Sequence, residues 1–252
     1  MSATLPEPTA GSVVGDRPGT TGRNPWLAPL VALTGIAALG DVVFMALIPS
    51  LIPPLAAGVV LTLVGIALVR RRPRTAVVVL GLTSVTLLLA GIALLSPHLA
   101  HPGSPIDFLH AALSIVGRAL AVTAAVGAWC AATLSGARRL AVTALGLAGV
   151  AVAVSGVATL LTDGEAARDD DIPVAITGSQ FPEAVVVEHG QTLHLDNQDL
   201  FRHTFTIPAT DLDVDLPAST AARAVVDLPP GSYDVICDIP GHEHMTSILE
   251  VR

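Results

Sequence analysis

The sequence is poor in aromatic residues, in charge and in cysteine. Only 3% of its 252 residues are aromatic and 13% are charged, whereas 52% are hydrophobic, which is too apolar for an ordinary soluble protein. Lysine is absent, so every basic side chain is an arginine, and the net charge is −8. No phosphate-binding loop, hydrolase triad or basic nucleic-acid surface can be recognised. The composition therefore favours a membrane protein and predicts no nucleic-acid partner.

Long apolar runs fill the N-terminal half and predict a helical transmembrane bundle over residues 25–161. Each run approaches the roughly 20 residues that cross a bilayer core, and prolines separate neighbouring runs. Residues 1–24 are rich in Pro, Gly and Thr without apolar periodicity and are predicted to form a disordered cytoplasmic tail. About five spans are expected, the second being the least certain, at about residues 26–48, 52–69, 75–95, 108–134 and 140–161.

Arginines lie on one side of this predicted bundle. They cluster at residues 70–74 and 138–139, whereas the loops around Pro53 and His101 hold none. Because positive loops stay in the cytoplasm, five spans with a cytoplasmic N-terminus place the C-terminal domain outside it. The prediction is a multi-pass protein of the cell membrane. Cys237 then lies outside and Cys130 on the inner side, so the two cysteines cannot form an intramolecular disulfide.

Three ionisable side chains fall within the predicted spans: Asp41, His110 and Arg118. At about 1.5 Å rise per residue, Asp41 and Arg118 lie at comparable depths below the outer surface, so we expect an ion pair. His110 and Ser114 share a helical face with Arg118. This polar stripe could be a proton or ion path, or a quinone or metal pocket; alternatively, the ion pair only fixes helix packing.

An acidic segment, residues 162–172, separates the bundle from the last 80 residues. Residues 173–252 contain short runs with period-two alternation, such as AVVVE, TLHLD, HTFTI and SYDVI, bounded by Gly, Pro, Asn and Asp. This pattern is typical of a β-sandwich. The fold class is therefore multi-domain: a helical membrane bundle of about five spans followed by an all-β domain.

The segment YDVICDIPGHEHM contains four side chains that can bind a metal within nine residues. Cys237, His242 and Met245 offer a thiolate, an imidazole and a thioether, and His203 on an alternating strand can supply a second imidazole. Soft sulfur ligands select copper, and two histidines, one cysteine and a weak axial methionine form the blue-copper arrangement. His244 is the natural substitute if Met245 does not reach the metal. A metal-free sandwich with Cys237 as a small buried hydrophobe remains the alternative.

These residues, together with Phe181, Pro182, Gly190 and PPGSYDVICDIPGH, make the segment from about residue 176 onward resemble the cupredoxins, the family of blue copper proteins. The resemblance implies a Greek-key sandwich with one type 1 copper ion. It makes His203 the upstream ligand, Cys237 the thiolate, His242 the solvent-facing imidazole and Met245 the axial thioether. Thr204 matches the residue whose backbone commonly bonds the cysteine sulfur. The short spacing from His242 to Met245 departs from many relatives, as does Leu195 where many carry Trp.

Two functions remain open at this point. The domain could be an extracytoplasmic one-electron carrier held by the bundle, or the protein could sequester or deliver copper. In the second case His98, His101 and His110 would form a second copper site or hand-off point, or they are simply solvated. Either function requires a redox or copper-exchange protein partner. We predict no enzyme and no catalytic residue, because copper oxidases and nitrite reductases need further paired histidines.

Overall fold

The computed structural model describes residues 24–47, 52–130 and 132–252. Five α-helices come first, and a 3-10 helix at Ser96–Ala100 follows the third of them. Proline occupies the first turn of α2, α3 and α4, a position where the missing N–H costs nothing. The helices are α1 (Leu27–Leu47), α2 (Pro53–Leu68), α3 (Pro73–Leu95), α4 (Pro105–Trp129) and α5 (Leu134–Leu161). The tail predicted for residues 1–24 lies almost wholly outside the described part of the chain.

Four helical segments in the described ranges are long and apolar enough to cross a membrane. They are Leu27–Leu47, Pro73–Ala100, Pro105–Trp129 and Leu134–Leu161. The second helix, Pro53–Leu68, has only 16 residues, about 24 Å at 1.5 Å per residue, and so is shorter than a hydrocarbon core of about 30 Å. The predicted number of five spans is therefore not confirmed. The turn between the last two helices also lies earlier than predicted, since α5 begins at Leu134.

Helices α2 and α3 pack closely and run in opposite directions. A methyl group at Gly58 would collide with Leu87, and one at Gly65 would collide with Leu80. Because the partner number falls as the glycine number rises, the two helices are antiparallel. Short connections between packed helices produce this arrangement. The shorter helix thus returns the chain from the end of α1 towards the Arg70–Arg74 side.

The C-terminal domain is a sandwich of eight strands in two sheets. One sheet has the order β1-β3-β6, and the other has the order β2-β8-β7-β4-β5. The β1–β3 and β2–β8 pairs are parallel and the others antiparallel. The strands are β1 (Ile172–Ile176), β2 (Ala184–Val187), β3 (Thr192–Asn197), β4 (His203–Thr206), β5 (Asp213–Leu216), β6 (Ala221–Val225), β7 (Gly231–Ile236) and β8 (Thr246–Val251).

The core between the two sheets follows from alternation along the strands. Leu193 and Leu195 of β3 are fully buried, and so is Leu249 of β8, while their strand neighbours are more exposed. Phe205 of β4 is also buried and meets Phe181 edge to face, with ring centroids 5.6 Å apart. Cys237 and Met245 belong to the same buried cluster. The candidate metal ligands are therefore anchored in the core of the sandwich.

The acidic segment between bundle and sandwich is attached to the edge of the β1-β3-β6 sheet. The backbone N–H of Glu165 donates to the carbonyl of Ala221 at 2.8 Å, and the guanidinium of Arg223 donates to both carboxylate oxygens of Asp171 at 2.6 and 2.7 Å. This pairing lowers the pKa of Asp171 to about 2. Residues 162–172 thus extend the domain rather than only joining it to the helices.

The sandwich contacts the bundle where α1 ends and α4 begins. The backbone N–H of Arg202 donates to Asp107 at 2.7 Å, and the N–H of Ala218 donates to the hydroxyl of Ser104 at 3.1 Å. Phe44 of α1 meets Phe201 edge to face at 5.9 Å between ring centroids. The domain therefore lies at the end of the bundle opposite the arginines of residues 70–74 and 138–139.

Candidate metal centre

Two separate segments bring three metal-ligating side chains together. His203 begins β4, while Cys237 and His242 lie in the loop that joins β7 to β8. The Nδ1 atoms of the two histidines are 3.3 Å apart, and the sulfur of Cys237 is 3.5 Å from Nδ1 of His242. The three potential ligand atoms all lie within 4.8 Å of one another. This spacing allows a single ion to touch all three.

The ligand loop is closed by its own backbone. The N–H of Cys237 donates to the carbonyl of Met245 at 3.2 Å, and the N–H of Met245 donates to the carbonyl of His242 at 2.8 Å. Gly241 adopts a φ of 95°, which is strained for other residues. The short loop therefore turns back tightly and places the Met245 side chain, which is 1% exposed, in the core of the sandwich.

Hydrogen bonds hold the cysteine and the first histidine in place. The backbone N–H of Thr204 points at the sulfur of Cys237 at 3.4 Å, and the hydroxyl of Thr204 accepts from the N–H of Asp238 at 2.8 Å. Nε2 of His203 lies 3.0 Å from the Asp199 carboxylate, which leaves Nδ1 to face the site. A carboxylate on the far nitrogen fixes the ring orientation and tautomer of a metal-binding histidine.

Sequence reasoning gave Asp199 no role of its own at the site. The same carboxylate also accepts from the backbone N–H groups of Gly178 and Ser179 at 2.7 and 2.8 Å. One signal could have revealed it: an acidic residue four positions before a candidate ligand histidine, in a turn that precedes a strand. Asp199 thereby couples the orientation of His203 to the loop after β1.

Burial controls the protonation of the ligands. Burial and, to a smaller extent, the neighbouring His203 together lower the pKa of His242 to about 4. Burial also lowers the pKa of His203, although Asp199 opposes the change, and it raises the pKa of the Cys237 thiol. Both imidazoles are therefore neutral and able to coordinate at neutral pH. The thiol loses its proton when a metal ion binds.

The remaining predicted residues fall into two places. His244 is exposed beside His242, with ring centroids 6.4 Å apart. His242, which the resemblance makes the solvent-facing imidazole, is partly exposed, and the loop at residues 239–244 lies over a cavity at the end of the bundle. The polar residues of the bundle form a cluster below that cavity. Arg118 bonds to Oδ2 of Asp41. His110 and Ser114 each lie 3.3 Å from Oδ1 of the same carboxylate.

The donor set fits copper. Two neutral imidazoles, one thiol and a buried thioether are the side chains that blue-copper sites use, and the imidazoles and the thiol lie within 4.8 Å of one another. Residues 149–248 match the family model of the cupredoxin-like domain. The C-terminal part of the chain is therefore a cupredoxin-like domain, and copper is the metal to which it points. The matched segment begins within α5 and includes all four predicted ligands.

Several solved structures are similar to this part of the chain. A reduced mutant of amicyanin is 20% identical and covers 34% of this chain and 86% of its own, with a TM-score of 0.30. Amicyanin from Paracoccus versutus is 18% identical, with coverages of 34% and 85% and a TM-score of 0.30. The copper-containing nitrite reductase from Thermus scotoductus is 23% identical and covers 36% of this chain but 24% of its own, with a TM-score of 0.29. Comparison with curated protein sequences gives no match.

Proposed function

We propose that the protein is a membrane-anchored, extracytoplasmic electron carrier whose single type 1 copper ion is held by His203, Cys237, His242 and Met245. The observation that carries this proposal is the convergence of two Nδ1 atoms and one sulfur within 4.8 Å. Bound copper would alternate between Cu(II) and Cu(I) and so supply a one-electron step. The protein contributes a preformed set of ligands and no catalytic residue.

Burial of the ligands favours electron transfer over copper delivery. His203 is 0% exposed, Met245 1% and Cys237 5%. A delivery protein passes its metal on by exchanging ligands with an acceptor, which must then reach the ion. Here the acceptor would find three of the four ligands inside the sandwich. Electron transfer needs no such access, and a rigid site keeps the same geometry in both oxidation states.

Anchoring in a membrane is supported by the exposed faces of the helices. Leu39, Leu82 and Leu89 are each 63 or 64% exposed, and Leu145 is 75% exposed, which suits contact with lipid rather than water. The sandwich lies at the opposite end of the bundle from the clustered arginines. If those arginines stay in the cytoplasm, the copper domain faces the outside. Its partner is then an extracytoplasmic redox protein.

The copper assignment is tested by the visible spectrum of the purified full chain loaded with Cu(II). We expect a strong thiolate-to-copper charge-transfer band, because a cysteine sulfur binds the ion. Cys237→Ser should abolish the band. The matched control is Cys130→Ser, which removes the exposed cysteine of the bundle and should leave the spectrum unchanged. A folded, copper-loaded protein without this band would refute the proposal.

A further inference from the structure

A cavity of about 280 Å³ lies between the helical bundle and the metal centre. Its walls come from α1, α2, α3, the 3-10 helix and α4 and are mostly apolar, whereas its upper boundary is the ligand loop from Ile239 to His244. His242, a candidate copper ligand, therefore borders the cavity directly. The apolar residues of the wall are Phe44, Leu55, Leu87, Ala90, Leu94 and Leu95.

Polar groups stand at two levels of this apolar cavity. At the deeper level His110, Ser114 and Arg118 line the cavity, and each of them contacts the carboxylate of Asp41 behind them. Higher up is His98, which is 8% exposed and whose Nδ1 atom has no hydrogen-bond partner among the described residues. A buried polar atom without a partner is costly, so His98 is placed to bond a ligand that enters the cavity.

The position of the cavity indicates how a ligand would reach it. Asp41 lies about 9 Å below the end of α1 at 1.5 Å rise per residue, which is within the outer half of a bilayer. Leu94 lines the cavity and is also 55% exposed on the outside of the bundle. The cavity is therefore bordered on one side by the lipid-facing surface. A ligand that enters there must dissolve in lipid.

We propose that this cavity binds the ring of a lipid-soluble hydroquinone, the electron donor of the copper centre. The ring is flat and apolar and matches the walls, and its two hydroxyl groups can bond to His98 and to the deeper polar groups that line the cavity. The Phe44 ring stacks on His110 at 4.0 Å between centroids and offers a flat surface. A second copper ion fits less well, since within the described residues the only cluster with metal-ligand spacing is that of His203, Cys237 and His242.

This inference rests on the proposed function for its redox step. One hydroquinone becomes one quinone by losing two electrons and two protons. With copper held by the proposed ligands, the electrons would pass singly through the site beside His242 to the one-electron acceptor, so two acceptor molecules would be reduced for each hydroquinone. The imidazoles of His98 and His110, which line the cavity, are the acceptors for the two protons. The site would thus connect electrons stored in the bilayer to a protein outside it.

The first experiment measures binding and does not require copper. The full chain, free of copper, is placed in nanodiscs of phosphatidylcholine and phosphatidylglycerol without quinone, and a photoreactive derivative of decylubiquinone is added. We expect saturable labelling of α3 and of the loop at residues 239–244, and competition by unlabelled decylubiquinone or a short-chain menaquinone. Ala90→Trp should fill the cavity and abolish saturable labelling. The matched control Leu89→Trp, on the lipid-exposed neighbour, should not.

A second variant, His98→Phe, tests the site independently in case Ala90→Trp does not fold. His98→Phe removes the unpartnered nitrogen while keeping a ring of similar size, and it should weaken quinone binding about three- to tenfold, the effect of one lost hydrogen bond. In each variant loaded with Cu(II), the visible band reports that the copper domain is folded. Decylubiquinol should bleach that band in the native protein faster than in Ala90→Trp.

The outcomes separate the two proposals. Labelling that never saturates, that phospholipid displaces as well as quinone does, or that Ala90→Trp leaves intact would overturn the hydroquinone site, even if the copper band is present. Absence of the copper band from the native protein would instead overturn the electron-carrier proposal, while the copper-free labelling would still decide whether the cavity binds quinone. A band that decylubiquinol bleaches equally fast in the native protein and in Ala90→Trp would refute the assigned donor route.

Discussion

Nε2 of His203 lies 3.0 Å from the Asp199 carboxylate, while Nδ1 of the same ring lies 3.3 Å from Nδ1 of His242. The carboxylate thus holds one nitrogen and leaves the other for the metal. Because Asp199 also accepts hydrogen bonds from Gly178 and Ser179, its own position is fixed by the backbone. The ring of His203 is therefore oriented before any metal arrives.

Replacement of Asp199 should weaken copper binding. In Asp199→Ala the imidazole of His203 loses the partner that fixes its tautomer, and we expect copper affinity to fall about 10- to 100-fold. Competition titration against a chelator of known affinity measures the change. The control is Asp211→Ala, an exposed carboxylate away from the site, which should bind copper like the native domain. Equal affinities in the two variants would show that Asp199 serves only the loop after β1.

The axial role of Met245 can be tested through the reduction potential. Met245→Leu keeps a buried apolar side chain of similar volume but removes the thioether that donates to copper. Cu(II) loses more stabilisation than Cu(I), so the potential should rise while the visible band persists. Met45→Leu in α1 is the matched control and should leave the potential unchanged. An unchanged potential in Met245→Leu would mean that its sulfur does not ligate.

Removing one charge of the buried Asp41–Arg118 pair should destabilise the protein more than removing both. Asp41→Asn or Arg118→Gln strands the remaining charge in the bundle, which costs about 3 to 5 kcal/mol, whereas removing both charges can be nearly neutral. We expect each single variant to lower the yield of folded protein and the double variant to restore it, as measured by size-exclusion chromatography of a fluorescent fusion. Arg138→Gln, on an exposed arginine, is the control. Normal yields from both single variants would contradict an energetically coupled pair.

Orientation in the membrane can be read with reporters. A reporter that is active only outside the cytoplasm should be active when fused after Arg252, and one inserted at Arg72 should be silent. The reason is that the clustered arginines and the copper domain lie at opposite ends of the helices, and arginines are retained inside. A cytoplasmic reporter at the same two positions serves as the control and should give the opposite pattern. Activity of the outer reporter at Arg72 would reverse the assigned orientation.

Local patterns were enough to predict the sandwich and the residues of a candidate metal centre. Alternation in the sequence predicted β2, β3, β4 and β7 close to their observed bounds, and in β2 and β3 one face of the strand is buried. The structure brings His203, Cys237 and His242 together, and their binding of copper stays a prediction. For Met245, ligation stays a prediction. The first strand, which contains Pro173, and the short acidic β5 were not predicted, since their pairing depends on neighbours distant in sequence.

What the sequence could not provide is the contact between its two halves. The half-buried position of His242, the unpartnered Nδ1 of His98 and the cavity between them arise only when the sandwich sits on the bundle. The family resemblance covers only the C-terminal part of the chain and so gave no information on this contact. Periodicity within a segment carries no information on which loop meets which helix end.

The attachment of the acidic segment to β6 limits how far the sandwich can move relative to the helices. With Glu165 bonded to Ala221 and Asp171 held by Arg223, almost no slack chain remains between α5 and the sandwich. The copper domain therefore cannot swing on a flexible linker to reach distant partner proteins. If the protein transfers electrons as proposed, its oxidant must diffuse to the domain, because the domain cannot move to the oxidant.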